Sequence, residues 1–178
     1  EEAEAERQEA VRANRRVLKV MHRTHLQRFM PELGKLAAYT EIMGLLDSGV
    51  AYHHSGMLPV LREYVELCFQ QKLIKLVFAT ETLAVGVNMP ARSVVFSQVD
   101  KPNDGDLPGH RPLRPDEFWQ MAGRAGRRGM DELGYVLYAP TLSVAGLRNL
   151  AKADELREML TGEMPTASSQ LVVDRPFV

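Results

Sequence analysis

Hydrophobic positions along this chain change their period several times, and each change marks an element. Val11, Val17, Leu18, Met21, Leu26 and Phe29 recur at roughly helical spacing. The charge above that stripe is acidic at residues 1–10 and basic, with no acid at all, over 11–30. Acid early and base late suits a helix dipole. Pro31 interrupts this helix. Leu36, Ala37, Tyr39, Ile42, Met43 and Leu46 then predict a second one over 33–46, stopped by Asp47-Ser48-Gly49. Val50–His53 reads as a short buried strand, residues 54–57 as a turn, and Pro59 as the first residue of a helix. That helix buries Val60, Leu61, Tyr64, Val65, Cys68 and Phe69.

Residues 73–79 form an unbroken apolar run of the buried parallel-strand kind. Thr80, an N-cap type residue, opens a short helical segment over 81–85. Further strands are predicted at 93–97 and 134–139, with a polar Pro/Gly loop over 100–114 and a helix from Pro115 between them. In that loop Lys101, Arg111 and Arg114 could meet a nucleic acid, although a plain loop is the simpler reading. Leu147, Leu150, Leu156 and Leu160 predict a helix over 142–160, followed by a loop over 162–169 and a strand at 171–173. Strands alternating with helices at short spacing imply an α/β fold with a parallel sheet and helices on its faces. In such sheets ligands sit beyond the carboxyl ends of the strands, where Thr80 would meet an anion.

Composition adds bounds rather than chemistry. The 178 residues are 45% hydrophobic and 25% charged, with net charge −1. Any nucleic-acid contact must therefore use local patches, not a global basic field. One cysteine, Cys68, excludes an internal disulfide framework and a cysteine-based zinc site, and fits a reducing setting. No metal site is expected at His22 and His25, which lack acidic partners. No apolar run approaches membrane-spanning length, so no membrane role is expected.

The distinctive chemistry lies in residues 120–129, Gln-Met-Ala-Gly-Arg-Ala-Gly-Arg-Arg-Gly. On a helix or tight helical turn, Arg124 and Arg127 would share a face beside a side-chain-free strip of Gly123, Gly126 and Gly129. Guanidinium donors form a fork that matches phosphate oxygens. The plainer alternative is a solvated helix end with basic capping residues.

Residues 50–57, 78–91 and 120–129 together resemble three motifs, in order, of the second RecA-like domain of superfamily-two helicases. The nearest branch is the superkiller and exosome-associated DExH-box RNA helicases. The resemblance implies a RecA-like sheet over 48–140, preceded by a charged helical lead-in at 1–47. A helix and linker at 141–178 would lead toward a winged-helix domain. It implies that Gln120 faces the nucleotide and that Arg124 and Arg127 act as arginine fingers on the ATP γ-phosphate. Gly123, Gly86 and Asn88 would lie beside the nucleotide. Thr80, Ser55, Gly56 and His54 would contact the RNA backbone, with His53 nearby. Arg128 belongs to the pattern without a finger role. ATP with Mg2+, single-stranded or duplex RNA, exosome-type complexes, and an intracellular setting in nucleus or cytoplasm are implied likewise.

No phosphate-loop lysine motif and no Asp-Glu-x-His box occur in the sequence. The chain therefore reads as part of a longer helicase, not expected to hydrolyse ATP alone, its Mg2+ held by the missing first domain. A DNA helicase of the related repair branch and a non-catalytic nucleic-acid-binding module remain as alternatives. A plain nucleotide-binding α/β enzyme would need a Gly-rich loop after its first strand, which is absent.

Overall fold

The computed structural model describes residues 2–84, 89–103, 108–142, 144, 148 and 150–164. It divides into two compact units, Glu1–Pro90 and Ala91–Val178. Both are built from parallel strand pairs and packed helices, the α/β architecture expected of a RecA-like helicase domain.

The first unit opens with α1 (Glu2–His25), a short α2 (Met30–Leu33) and α3 (Ala37–Asp47). α1 ends at His25, short of Pro31, which instead lies in the first turn of α2, where no proline N–H is needed. Only the later part of the α1 stripe packs: Leu18 and Met21 meet the core, while Val11 and Val17 are exposed. β1 (Val50–His53) pairs in parallel with β2 (Leu76–Ala79), and α4 (Pro59–Gln70) connects them. Gly49, at φ +72°, takes the left-handed turn into β1. The core joins Leu26, Ile42 and Leu46 to Ala51, Leu61, Val65 and Cys68. Burial pushes the Cys68 thiol up to about 11, so this residue is a packed hydrophobe and not a nucleophile.

β2 differs from expectation. It begins at Leu76, and Leu76 and Phe78 are exposed; the buried residues are Leu73 and Ile74, just before the strand. Among the described residues β2 has a single strand neighbour, β1.

In the second unit β3 (Ser93–Phe96) pairs in parallel with β6 (Tyr135–Tyr138). Residues 100–114 are not the plain loop expected. β4 (Asp100–Pro102) and β5 (His110–Pro112) form an antiparallel hairpin. α5 (Pro115–Ala122) and α6 (Ala153–Thr161) pack over Phe96, Val99 and Leu113 through Phe118 and Met159. The helix expected over 142–160 is not continuous, because residues 150–152 are non-helical and α6 starts afresh at Ala153. The strand expected at 171–173 lies outside the described residues.

Candidate functional site

The first unit gathers four predicted residues at one edge. Parallel register sets His53 opposite Ala79, so the segments leaving both strands emerge together at the carboxyl edge. The Thr80 N–H donates to the His53 carbonyl at 3.2 Å, extending the ladder by one bond. Ser55, Gly56 and Thr80 are exposed there. The Gly56 N–H donates to His54 Nδ1 at 3.1 Å, and the His54 ring stacks on Tyr52 at 5.6 Å. His53 instead points inward: it is 2% exposed, with Nε2 bound to Glu66 of α4 at 2.7 Å. The segment after Thr80 is a four-residue 3₁₀ turn, Glu81–Ala84, too short to supply much of the helix dipole expected there. Gly86 and Asn88 lie outside the described residues.

In the second unit the arginine–glycine stretch is not helical. α5 ends at Ala122 and Gly123 caps it, its N–H donating to the Trp119 carbonyl at 2.8 Å. A Cβ on Gly123 would stand 2.9 Å from that carbonyl oxygen. Gly126 (φ +88°) and Gly129 (φ +76°) then take left-handed conformations that break any helical repeat. Arg124 and Arg127 are therefore set by a loop, not by a shared helical face.

The loop does not lie at the carboxyl edge, where ligands of such sheets are expected. Ala91 bridges Ala125: the Ala91 N–H donates to the Arg124 carbonyl at 2.9 Å, and the Gly126 N–H to the Ala91 carbonyl at 2.7 Å. These residues precede β3 and β6, so the loop lies at the amino edge of that strand pair. The reason is topological, since a helix-to-strand connection in a parallel sheet returns to where strands begin. Ala91, the last residue of the 78–91 stretch, thus meets the 120–129 stretch.

Arg127 lies on a turn in which the N–H groups of Met130 and Asp131 both donate to its carbonyl at 3.0 Å. Its Nε and Nη2 donate to the two carboxylate oxygens of Asp131, each at 2.7 Å. This hydrogen bonding holds the Asp131 carboxyl down at about 2 and raises the Arg127 pKa, so both stay charged at neutral pH. Gln120 and Gly123 are exposed, Arg124 is half-buried with partners of its own, and Arg128 is exposed.

Glu117, at the third position of α5, anchors this helix. Its carboxylate accepts from Arg111 (both contacts 2.8 Å), Lys101 (3.0 Å) and the Arg114 N–H (2.9 Å). Lys101 and Arg111, read above as candidate RNA contacts, are thus engaged inside the unit. Sequence reasoning missed Glu117, although an acid three residues after a helix start is a capping signal. It also missed Gly134. A Cβ there would lie 2.6 Å from the backbone of Ala125 and Gly126, so only glycine lets β6 start against the loop. Gly134→Ala is expected to cost about 1–3 kcal/mol through overpacking, read as a lower urea midpoint with an unchanged m-value.

Among the described residues no helix is long and apolar enough to cross a membrane. The family model of the helicase conserved C-terminal domain matches residues 7–129. The DExH-box ATP-dependent RNA helicase DExH10 of Arabidopsis thaliana is 46% identical over 128 residues, 72% of this chain and 12% of that protein. The Superkiller complex protein 2 of Homo sapiens is 56% identical over 93 residues, 52% of this chain and 7% of that protein. The Exosome RNA helicase MTR4 of Homo sapiens is 47% identical over 103 residues, 58% of this chain and 10% of that protein. The chain thus spans about a tenth of the length of these relatives.

Proposed function

Because the chain belongs to the helicase conserved C-terminal domain family, we propose that it is the second motor domain of an ATP-dependent RNA helicase acting in RNA processing or decay. The observation that carries this reading is the 120–129 loop. It is anchored on Ala91 by backbone bonds, and Arg127 is held in a defined pose with part of its fork open.

In the complete enzyme ATP brings the γ-phosphoryl group, with Mg2+ as its counter-charge. The metal would be held by a first motor domain, where it would offset charge on the phosphates. The open guanidinium donors fit phosphate oxygens, and Arg127 donates into the charge that builds as the γ-phosphoryl group transfers. Arg124 adds a second cation on the same loop, and Gln120 and Gly123 would border the nucleotide. Because these groups complete a site begun elsewhere, hydrolysis depends on domain closure, and the chain alone is expected to turn over no ATP. At the carboxyl edge of β1 and β2, the exposed Ser55-Gly56 turn, His54 and Thr80 hold the RNA backbone. Such contacts fix register without reading bases.

The names of the relatives favour RNA over DNA and exosome-type assemblies as partners. The test is the ATPase rate of the full-length protein with single-stranded RNA or DNA of equal length and sequence. Strong stimulation by RNA and weak stimulation by DNA is expected. Equal or stronger stimulation by DNA would transfer the domain to a DNA helicase, and no stimulation by either would leave a non-catalytic module.

A further inference from the structure

We infer that Asp131 is a positioning residue for the ATPase reaction, one that fixes the aim of Arg127 by occupying one edge of its guanidinium and leaving the other for phosphate. The inference rests on the finger reading of Arg127 proposed above and deepens it. Arginine has five N–H donors in a planar fork. The Asp131 carboxylate takes Nε–H and one Nη2–H, the side edge. The second Nη2–H and both Nη1–H groups have no partner among the described residues, and the former with one of the latter forms the end edge. That edge can still grip two oxygens of a phosphate.

The pairing is tied to the backbone at both ends. Oδ2 of Asp131 also accepts the backbone N–H of Arg127 at 3.0 Å, and the Asp131 N–H returns to the Arg127 carbonyl at 3.0 Å. Four bonds thus close a ring over five residues, and Gly129 supplies the positive φ that the turn requires. The Asp131 side chain is 8% exposed and that of Arg127 is 32% exposed, so the carboxylate is the sheltered partner and the guanidinium the accessible one. A free arginine side chain has four rotatable torsions and large rotamer entropy to lose on meeting a phosphate. Here that ordering is done in advance, which is the physical content of preorganisation.

A carboxylate beside a polyphosphate is electrostatically unfavourable, and this makes the inference separable from simple charge. Removing Asp131 leaves the net attraction for ATP equal or stronger, so KM does not rise. The loss falls on kcat, because geometry governs the chemical step.

The test uses the full-length protein with saturating RNA, comparing Asp131→Ala, Arg127→Ala and the double variant. Asp131→Ala is expected to lower kcat about tenfold to a hundredfold, the range for misplacing a catalytic group by about 1 Å, with KM unchanged or reduced. The double variant should be no slower than Arg127→Ala alone, because a residue acting through another has nothing left to aim. If Asp131→Ala does not fold, Asp131→Asn keeps an oxygen for the backbone N–H. It sets an amide donor against Nη2 and should show the same split more weakly. Wild-type kcat in Asp131→Ala alongside collapse in Arg127→Ala would overturn the inference and leave the finger reading intact. A rise in kcat would overturn it too, making the pair a brake. A further loss on top of Arg127→Ala would assign Asp131 to general stability. Wild-type turnover in Arg127→Ala would instead reject the finger reading itself.

Discussion

Replacing Arg127 by alanine in the full-length protein is expected to lower RNA-stimulated ATP turnover about a thousandfold, the lower bound for an arginine finger in phosphoryl transfer. RNA affinity should be unchanged, because the predicted backbone contacts belong to Ser55, Gly56, His54 and Thr80. Arg127→Lys should recover little, since an ammonium cannot present the two-pronged edge that remains outside the Asp131 pair. Arg128→Ala is the internal control. It removes the same charge from the next residue, whose side chain is exposed, and should keep near-normal turnover. Equal losses in the two alanine variants would mean that the loop contributes net charge and not a placed donor. The measurement is steady-state ATPase at saturating RNA, with RNA affinity determined separately.

The second large effect concerns stability. Glu117→Gln is expected to destabilise the protein by about 3 kcal/mol, the low end for removing one partner of a buried charge pair. The low end applies because the Lys101 and Arg111 side chains are still 23% and 20% exposed. The wild-type carboxyl is held well below its usual 4.5, first by the Arg111 hydrogen bonds and then by those of Arg114 and Lys101. Its folded value is depressed, so its contribution is complete above about pH 4.5 and is lost as pH falls below that value. Asp131 adds a smaller contribution of the same sign, full above its usual 3.8 and lost toward about 2. Denaturant midpoints measured from pH 7 down to 3 should therefore fall more steeply for wild type than for Glu117→Gln. Parallel curves would exclude the carboxylate as the anchor of α5.

The physical reasons for what was readable differ from element to element. β1, β3 and β6 were legible because short runs rich in Val, Tyr and Phe stand between glycine, proline and polar breaks. α4 was legible from its starting proline and four buried apolar positions at helical spacing. The β4–β5 hairpin was not, because its strands are three residues long and contain Pro102 and Pro112, so local signal favours loop. Glu117 was readable as a capping acid, but its role as an anchor depends on Arg111, six residues away, and Lys101, sixteen away. Long-range convergence of that kind leaves no mark on periodicity.

For the candidate site, the 120–129 stretch supplied candidate residues and misjudged their setting. Spacing by three suggested one helical face, yet Gly126 and Gly129 take positive φ and turn the chain into a loop. The same glycines that looked like a bare strip are hinges for the backbone. Asp131 was hidden because an acid four residues after an arginine is an ordinary pattern on a helix and tells nothing in a loop. The parallel register that brings Thr80 beside the 54–56 turn was predictable from fold class alone, and there the sequence expectation and the observed edge agree.

Arg127 is proposed to serve the transition state of ATP hydrolysis rather than ground-state binding. The decisive comparison is the affinity of the RNA-bound full-length protein for a non-hydrolysable ATP analogue and for ADP with aluminium fluoride, in wild type and Arg127→Ala. The variant is expected to keep its affinity for the first and to lose about a hundredfold or more for the second, the signature of differential binding. Equal losses for both ligands, or none for either, would contradict it.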